Sequence, residues 1–301
     1  MIGIVIINYN TYDITFRCVD SIIATTKLQY RIYILDNASQ NESWDRLNEK
    51  YCNQENIRLI RNEENQGYAR GNNLCIRIAY EDKCISVIIS NNDIIFLRNA
   101  IEKLHQSLII HNECLLIGPK VYLRSENNIQ TSIKKEMPSF VKYYLFETYL
   151  RNLLPKRFKN EPFIAETFEK VFWVSGCCFI IDLEKFKKIK FFDENTFLYF
   201  EEYILSFKAR QFGMELGYEP TAQVIHYHGA SSGGALNLST RIENFKSEMY
   251  FIKNYWKINK LKQWLIWKIR YLEVKFNYRN EINKQEAVKY YKEESKKIYK
   301  K

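Results

Sequence analysis

A chain of 301 residues, 46% of them hydrophobic, carries enough apolar material for one large domain or two modest ones, which excludes disorder as its main state. Its formal charge of +10 is unevenly placed: from Arg241 to Lys301 there are 17 Lys+Arg against 7 Asp+Glu, while residues 1–240 hold 28 of each sign, so that part carries no extended basic groove for nucleic acid. Seven cysteines without a CxxC pair argue against a disulfide framework or a zinc site and point to a reducing cytoplasm, and no run of about 18 apolar residues supports a spanning helix.

The opening segment, Met1 to Asn10, lacks the basic start and small-residue cleavage site of a signal peptide and reads as a first strand. Short β-branched runs at 2–7, 32–35, 57–60 and 85–89 have the length and composition of buried parallel strands. Between them, 14–24, 43–51 and 69–80 fit helices. This alternation predicts an α/β fold: a Rossmann-like, mostly parallel central sheet with helices on both faces and a ligand crevice at the carboxyl ends of the strands. Residues 136–170 turn aromatic and basic and predict a helical or irregular insertion. Beyond it the pattern predicts a strand over 171–182, a helix over 199–212, a turn at 217–220, a short strand at 222–226, and helix from about Arg241 to the end.

Function is expected in the residues that follow each strand. Those are Asn8-Tyr9-Asn10, Asp36-Asn37-Ala38-Ser39 and Ser90-Asn91-Asn92-Asp93. Any one of these is ordinary turn and N-cap chemistry; three converging on one crevice predict a site. Mg²⁺ or Mn²⁺ takes few protein oxygens and leaves its other positions to phosphate and water. Asn91-Asn92-Asp93 offers oxygen-bearing side chains at i and i+2, with Asp93 the anionic ligand. His226 ends a strand and is placed to complete the shell, although a lone histidine also serves as a satisfied core residue. The small-residue run 229–234 reads as a loop that closes over a diphosphate with its backbone N–H groups. Glu201-Glu202 opens a helical pattern, and successive helical residues diverge by about 100°, so at most one of the two points into a crevice. Its readings are a general base and an acidic first turn that suits the helix dipole.

In this order, over about residues 2–232, the motifs resemble the family 2 glycosyltransferases of the GT-A fold, especially the bacterial rhamnosyltransferase-like branch that assembles surface polysaccharides. Ile4-Val5-Ile6-Ile7-Asn8-Tyr9-Asn10 is similar to the family's first strand, and Leu35-Asp36-Asn37-Ala38-Ser39 to its base-recognition turn. Asn65-Gln66-Gly67-Tyr68-Ala69-Arg70-Gly71-Asn72-Asn73 resembles the long Asn-x-Gly-Phe-Ala-x-Gly-Asn-Asn segment near the nucleotide. Asn91-Asn92-Asp93 stands at the Asp-x-Asp variant, Gly118-Pro119-Lys120 follows it, Trp173-Val174-Ser175-Gly176 resembles the acceptor-side segment, and Phe192-Asp193-Glu194 with Tyr199-Phe200-Glu201-Glu202 resembles the run that holds the base. The resemblance implies an inverting glycosyltransferase with a UDP- or dTDP-sugar donor. It implies donor contacts from Asn8, Asn10, Asp36, Asn65, Gly67, Asn72, Asn91 and Asn92, Asp36 accepting the pyrimidine N3–H. Mn²⁺ or Mg²⁺ would lie on Asp93 and His226, and the glycan or lipid-linked acceptor would lie beside Trp173, Ser175 and Gly176. Glu202 matches the base, Glu201 remaining the other candidate. The family's Glu-Asp-x-Asp becomes Glu201-Glu202-Tyr203-Ile204, so the last acid is lost and Ile204 is expected to pack into the core.

The expected organisation is a catalytic domain over 1–240, with a donor half to about 122 and an acceptor side over 123–240, followed by a basic helical extension over 241–301. In that extension Trp256, Trp264 and Trp267 alternate with Ile258, Leu261, Leu265, Ile269, Leu272 and lysines. Such a stripe suits the anionic inner face of a membrane or packs on the catalytic domain; a lipid-linked acceptor favours the membrane and a cytoplasmic, peripheral enzyme. A homo-oligomer stays open. The absence of GxGxxG or a Gly-rich basic loop after the first strand argues against an oxidoreductase or a nucleotidyltransferase. The competing reading is a sugar-nucleotide-binding or scaffold subunit that lost catalysis with the acid missing at Ile204.

Overall fold

The isoleucine- and valine-rich runs do form strands, and the amphipathic segments between them form helices that cover the strands on both sides. A computed structural model of the chain describes residues 1–125, 128–130, 132–148, 150–151, 165–227, 238–277 and 284–300. It divides into one unit of Met1–Glu136, Pro162–Phe197 and Glu201–Ser232, and another of Met137–Glu161, Leu198–Phe200 and Gly233–Lys301.

In chain order, the first unit opens with β1 (Ile2–Asn8), α1 (Tyr12–Thr25), β2 (Tyr30–Asp36), α2 (Ser43–Tyr51), β3 (Ile57–Arg61), α3 (Gly67–Glu81) and β4 (Ser86–Asn91). There follow β5 (Ile94–Phe96), α4 (Ala100–Ile110), β6 (Cys114–Leu123) and β7 (Ile133–Lys134). After α5 (Phe140–Phe146), which belongs to the second unit, come β8 (Glu169–Val171), β9 (Trp173–Val174), β10 (Cys178–Asp182), α6 (Leu183–Lys188), α7 (Glu201–Gln211) and β11 (Glu215–His226). Nine strands form one sheet in the order β3-β2-β1-β4-β10-β6-β11-β5, with β8 also on β11. Six of the nine (β1–β4, β6 and β11) run in one direction.

The side-chain period of two sorts β1 between two cores. Ile2, Ile4 and Ile6 pack with Cys18, Val19, Ile22, Leu47 and Leu104, and Val5 packs on the opposite face with Tyr33, Ala69, Cys75 and Ile76. Full burial of each such isoleucine or valine contributes about 1.5–3 kcal/mol. The register also settles where polarity collects. Asn8 pairs with Asp36 across β1 and β2, and Ile7 with Asn91 across β1 and β4, so three polar strand ends lie side by side, as expected of the crevice.

Three expectations need correction. The strand over 171–182 is β8, β9 and β10 in succession, because the chain leaves β8 to pair β9 with β7 before β10 enters the sheet. The turn at 217–220 is interior to β11, whose pairing with β6 absorbs Pro220 in a register shift between Glu219 and Gln223. The helix expected from Tyr199 starts at Glu201, since Tyr199 and Phe200 hold φ of 71° and 68°, in the left-handed region a right-handed helix excludes. Of the insertion, residues 152–164 lie outside the described residues, and the remainder includes α5 and β8. Ile204 is buried, as expected.

The second unit holds α5, α8 (Leu238–Phe251), a π-helical turn at Ile252–Trp256, α9 (Lys260–Asn277) and α10 (Lys284–Lys300). Ile242, Val274 and Tyr291 form its apolar centre. Beside it the half-buried Arg270 donates to both oxygens of Glu248 at 2.8 Å and pairs with Glu273 at 3.0 Å, while Tyr143 donates to Glu248 at 2.6 Å. The tryptophan stripe is divided: Trp256 packs on Tyr143, Trp267 donates to Ser295 Oγ, and Trp264 stays exposed. Among the described residues no helix is long and apolar enough to cross a membrane.

Candidate active site

The polar strand ends are first of all tied to one another. Asn8, fully buried, donates to Asp36 Oδ1 at 2.8 Å and accepts from Thr15 at 2.8 Å, which locks β1, β2 and α1 together. Asp36 is also fully buried; Oδ1 takes Ser39 Oγ at 2.5 Å and Oδ2 takes the Ser39 N–H at 3.2 Å. The carboxylate thus stabilises the turn that follows β2. Asn10, half-buried with φ 59°, donates its N–H to Ser39 Oγ and accepts from the Gln40 N–H.

The long asparagine segment works in the same way. Asn65 Oδ1 accepts from Asn37 Nδ2 and from the Gly67 N–H, both at 2.9 Å. Gly67 opens α3 with φ 75°, and a Cβ there would stand 2.2 Å from the Phe197 carbonyl oxygen, which accepts the next N–H, that of Tyr68. Asn72 bonds the Tyr68 carbonyl within α3. Asn73, outside the predicted set, clamps Phe192 through both backbone groups and donates to Glu194 at 2.8 Å, pinning the Phe192-Asp193-Glu194 segment onto α3.

At the end of β4 the residues divide in role. Asn92 is buried and donates to Thr11 and Thr15, so it anchors α1. Asn91 is half-buried, with its N–H on the Cys177 carbonyl at 2.8 Å. Asp93 is 5% exposed, and its Oδ1 accepts no hydrogen bond from the described residues. The pairing of β11 with β5 sets His226 opposite Ile94, which brings His226 Nε2 to 3.1 Å from that same Oδ1. The other ring nitrogen, Nδ1, lies 2.9 Å from Gln130 Oε1, an amide oxygen that accepts from it and holds the ring in place. A buried carboxylate oxygen facing an imidazole ring that is held from behind by Gln130 fits a divalent cation. No third His, Cys, Asp or Glu joins them among the described residues, so phosphate and water would fill the remaining positions.

Of the two glutamates, Glu202 reaches the Trp173-Val174-Ser175-Gly176 segment: its Oε1 accepts the Gly176 N–H at 2.9 Å. Burial raises its pKa, while that N–H and the Lys134 ammonium draw it partly back. Glu201 is 4% exposed, its Oε1 has no partner among the described residues, and burial next to Glu202 pushes its pKa to about 8. Pairing of β7 with β9 sets Lys134 beside Trp173, its ammonium 5.2 Å above the Trp173 ring and 2.5 Å from Tyr203 Oη. Trp173 Nε1 is buried without a partner among the described residues, and the Ser175 N–H bonds the Ser132 carbonyl at 2.7 Å.

Gly176-Cys177 joins these groups. The Gly176 N–H holds Glu202, the Gly176 carbonyl accepts Tyr68 Oη at 2.7 Å, and the Cys177 carbonyl accepts the Asn91 N–H. Burial pushes the Cys177 thiol to about 12, with the Asp93 and Glu202 charges both adding, so both carboxylates act on one side chain. Burial likewise raises the Tyr68 phenol well above its ordinary value, with Glu202 and Glu201 adding. Sequence reasoning missed Tyr68, Gln130 and Lys134. Tyr68 had a signal, a hydroxyl where the resembling motif has Phe; Gln130 and Lys134 had none. The 229–234 loop lies outside the described residues.

The sequence model of glycosyl transferase family 2 matches residues 3–190. The chain is 24% identical over 229 residues to the low-salt glycan biosynthesis hexosyltransferase Agl10 of Haloferax volcanii, covering 75% of this chain and 66% of that protein. It is 22% identical over 245 residues to the N-acetylglucosaminyl-diphospho-decaprenol L-rhamnosyltransferase of Mycobacterium tuberculosis, covering 77% and 78%. Its fold is similar to GalNAc-T7 crystallised with UDP, GalNAc and Mn²⁺ (TM-score 0.64, 16% identity, 98% of this chain and 54% of that one). It is also similar to residues 1–349 of S. aureus TarS in complex with UDP-GlcNAc (TM-score 0.58, 12% identity, 99% and 81%).

Proposed function

From the premise that the chain belongs to glycosyl transferase family 2, we propose that it moves a sugar from a UDP- or dTDP-sugar to a lipid-linked glycan, with inversion, in bacterial surface polysaccharide synthesis. The observation that carries this reading is the Gly176-Cys177 link, which bonds the Glu202 carboxylate on one side and the Asn91 N–H, two residues from Asp93, on the other. Residues 1–240 hold this chemistry, the donor side to about 122 and the acceptor side beyond. The M. tuberculosis relative's name, a rhamnosyltransferase acting on a decaprenol-linked diphosphate sugar, supports the lipid-linked acceptor. The UDP in the two similar structures supports the donor class.

Asp93 and His226 would hold Mn²⁺ or Mg²⁺, which when bound neutralises the departing diphosphate. Glu202 takes the proton of the acceptor hydroxyl as that oxygen bonds to the anomeric carbon and the sugar–phosphate bond breaks; no covalent enzyme intermediate is needed. Its raised pKa makes it a stronger base than an ordinary carboxylate. Glu201 stays inside the fold as its companion. Trp173, Ser175 and Gly176 border the acceptor, and Asn10, Asn65, Gly67, Asn72 and Asn91 shape the donor side, with Asn8, Asp36 and Asn92 bracing it. The enzyme works in the cytoplasm at the inner face of the membrane, where its acceptor lies.

Incubation with Mn²⁺ or Mg²⁺ and a panel of UDP- and dTDP-sugars, with and without a membrane-lipid extract, tests the proposal through nucleotide release. Metal-dependent release of one nucleotide, abolished in Asp93→Ala and Glu202→Gln, is the expected result. Donor binding without release under every acceptor condition would make the chain a binding subunit, and no donor binding at all would overturn the assignment.

A further inference from the structure

The second unit turns α9 in a way that the sequence stripe did not foretell. Gln263, Ile266, Ile269, Glu273 and Val274 face inward. The orientation is held by Arg270, whose guanidinium grips both oxygens of the fully buried Glu248 on α8, so rotating α9 would strip a buried carboxylate of its partner. What remains outward is apolar: Leu261 is 66% exposed, Leu272 42% and Trp264 41%. At 100° per residue these three, the half-buried Leu265 and the exposed Lys268 and Lys275 share an arc of about 100°. No acidic side chain lies on it, the single acid of α9 being the inward Glu273.

We propose that this outer face of α9 is a docking surface for an anionic phospholipid leaflet. It names the face and the lipid charge for the peripheral enzyme proposed above, and rests on that reading only for its purpose. Leucines and a tryptophan enter the boundary between headgroups and acyl chains, while Lys268 and Lys275 lay their methylene stems along that apolar surface and keep their ammonium groups among lipid phosphates. The excess of 17 basic over 7 acidic residues from Arg241 to Lys301 adds attraction of the same sign. A second copy of the chain suits the face less well: a two-fold contact would set lysines against lysines with no acid on either arc to meet them.

The test uses the full chain and vesicles, without donor or acceptor. The wild-type protein is expected to sediment with vesicles of phosphatidylcholine and phosphatidylglycerol and far less with phosphatidylcholine alone, and added salt should release it. Leu261→Ser/Trp264→Ser/Leu272→Ser should lower binding at least tenfold; Lys268→Gln and Lys275→Gln should each lower it about fivefold on anionic vesicles. Nucleotide release to a water-soluble acceptor should be unchanged in all of them, which also shows that they fold. Equal binding by the triple variant and wild type, no vesicle binding by the wild type, or a wild-type dimer that the triple variant converts to monomer would each overturn the proposal. Vesicle binding without transferase activity would leave this inference standing and remove the enzymatic one.

Discussion

Replacing Gly176 by alanine should disable the base while leaving the fold intact. A Cβ built at Gly176 stands 2.5 Å from Glu202 Oε1, 3.1 Å from its Cδ and 3.3 Å from its Cγ, and its three nearest neighbours are all atoms of that one side chain. To regain ordinary contact at 3.4 Å, Oε1 must retreat by about 0.9 Å from its 2.5 Å position. The atom that yields is the tip of a flexible side chain, so the backbone need not move and the melting temperature should fall by little. A misplacement of about 1 Å in a reacting group costs roughly 10²-fold in rate, or about 2.7 kcal/mol in the barrier. The carboxylate also loses its bond from the Gly176 N–H, which further raises its pKa. We expect kcat for nucleotide release to drop about 10²-fold with donor affinity retained, and the acidic limb of the pH profile to move upward. A Gly176→Ala enzyme with a wild-type melting curve and kcat within threefold of wild type would refute the assignment of Glu202 as base.

Two further outcomes follow from buried charge. Arg270→Ala leaves the fully buried Glu248 without its counter-ion and should cost about 3–5 kcal/mol in urea denaturation followed by tryptophan fluorescence, and Arg270→Met/Glu248→Leu should recover much of that loss; a single-variant loss below about 1 kcal/mol would contradict the burial argument. Folding raises the Glu201 pKa from 4.5 to about 8, mainly through burial and then through the Glu202 charge. Between those values the folded chain holds a proton that the unfolded chain has released, so this group's contribution to stability declines as pH rises and is lowest above about 8. The wild type should therefore lose more melting temperature than Glu201→Gln between pH 5 and pH 8, and parallel curves for the two proteins would count against the raised pKa.

Much was legible in advance because it is local. The β-branched runs, the helices between them and the polar segments at the ends of β1, β2 and β4 follow from side-chain period and turn chemistry, and parallel strands in register must bring those segments together. The choice of Asp93, Glu202 and His226 as the groups to examine came from motif spacing; the family match over residues 3–190 spans the Asp93 segment and ends before Glu202 and His226. Division of labour within each motif was not legible. Asn8 shares its polar segment with Asn10, and Asn92 with Asn91, yet Asn8 and Asn92, like Asp36, are buried ties while Asn10 and Asn91 are half-buried.

The order of residues along the chain thus determined the α/β architecture, the end of the sheet that carries the polar site, and the basic character of the last sixty or so residues, since each depends on composition within a short window. Tertiary structure alone decided the rest. Adjacent glutamates are indistinguishable until helix α7 directs Glu202 to the Gly176 N–H and leaves Glu201 buried with an unpartnered oxygen. The stripe of α9 has no inside or outside until Arg270 finds Glu248 and Ile266, Ile269 and Val274 pack inward, which leaves Leu261, Trp264 and Leu272 at the surface. Direction and burial depend on contacts between segments far apart in the chain, which no local pattern contains.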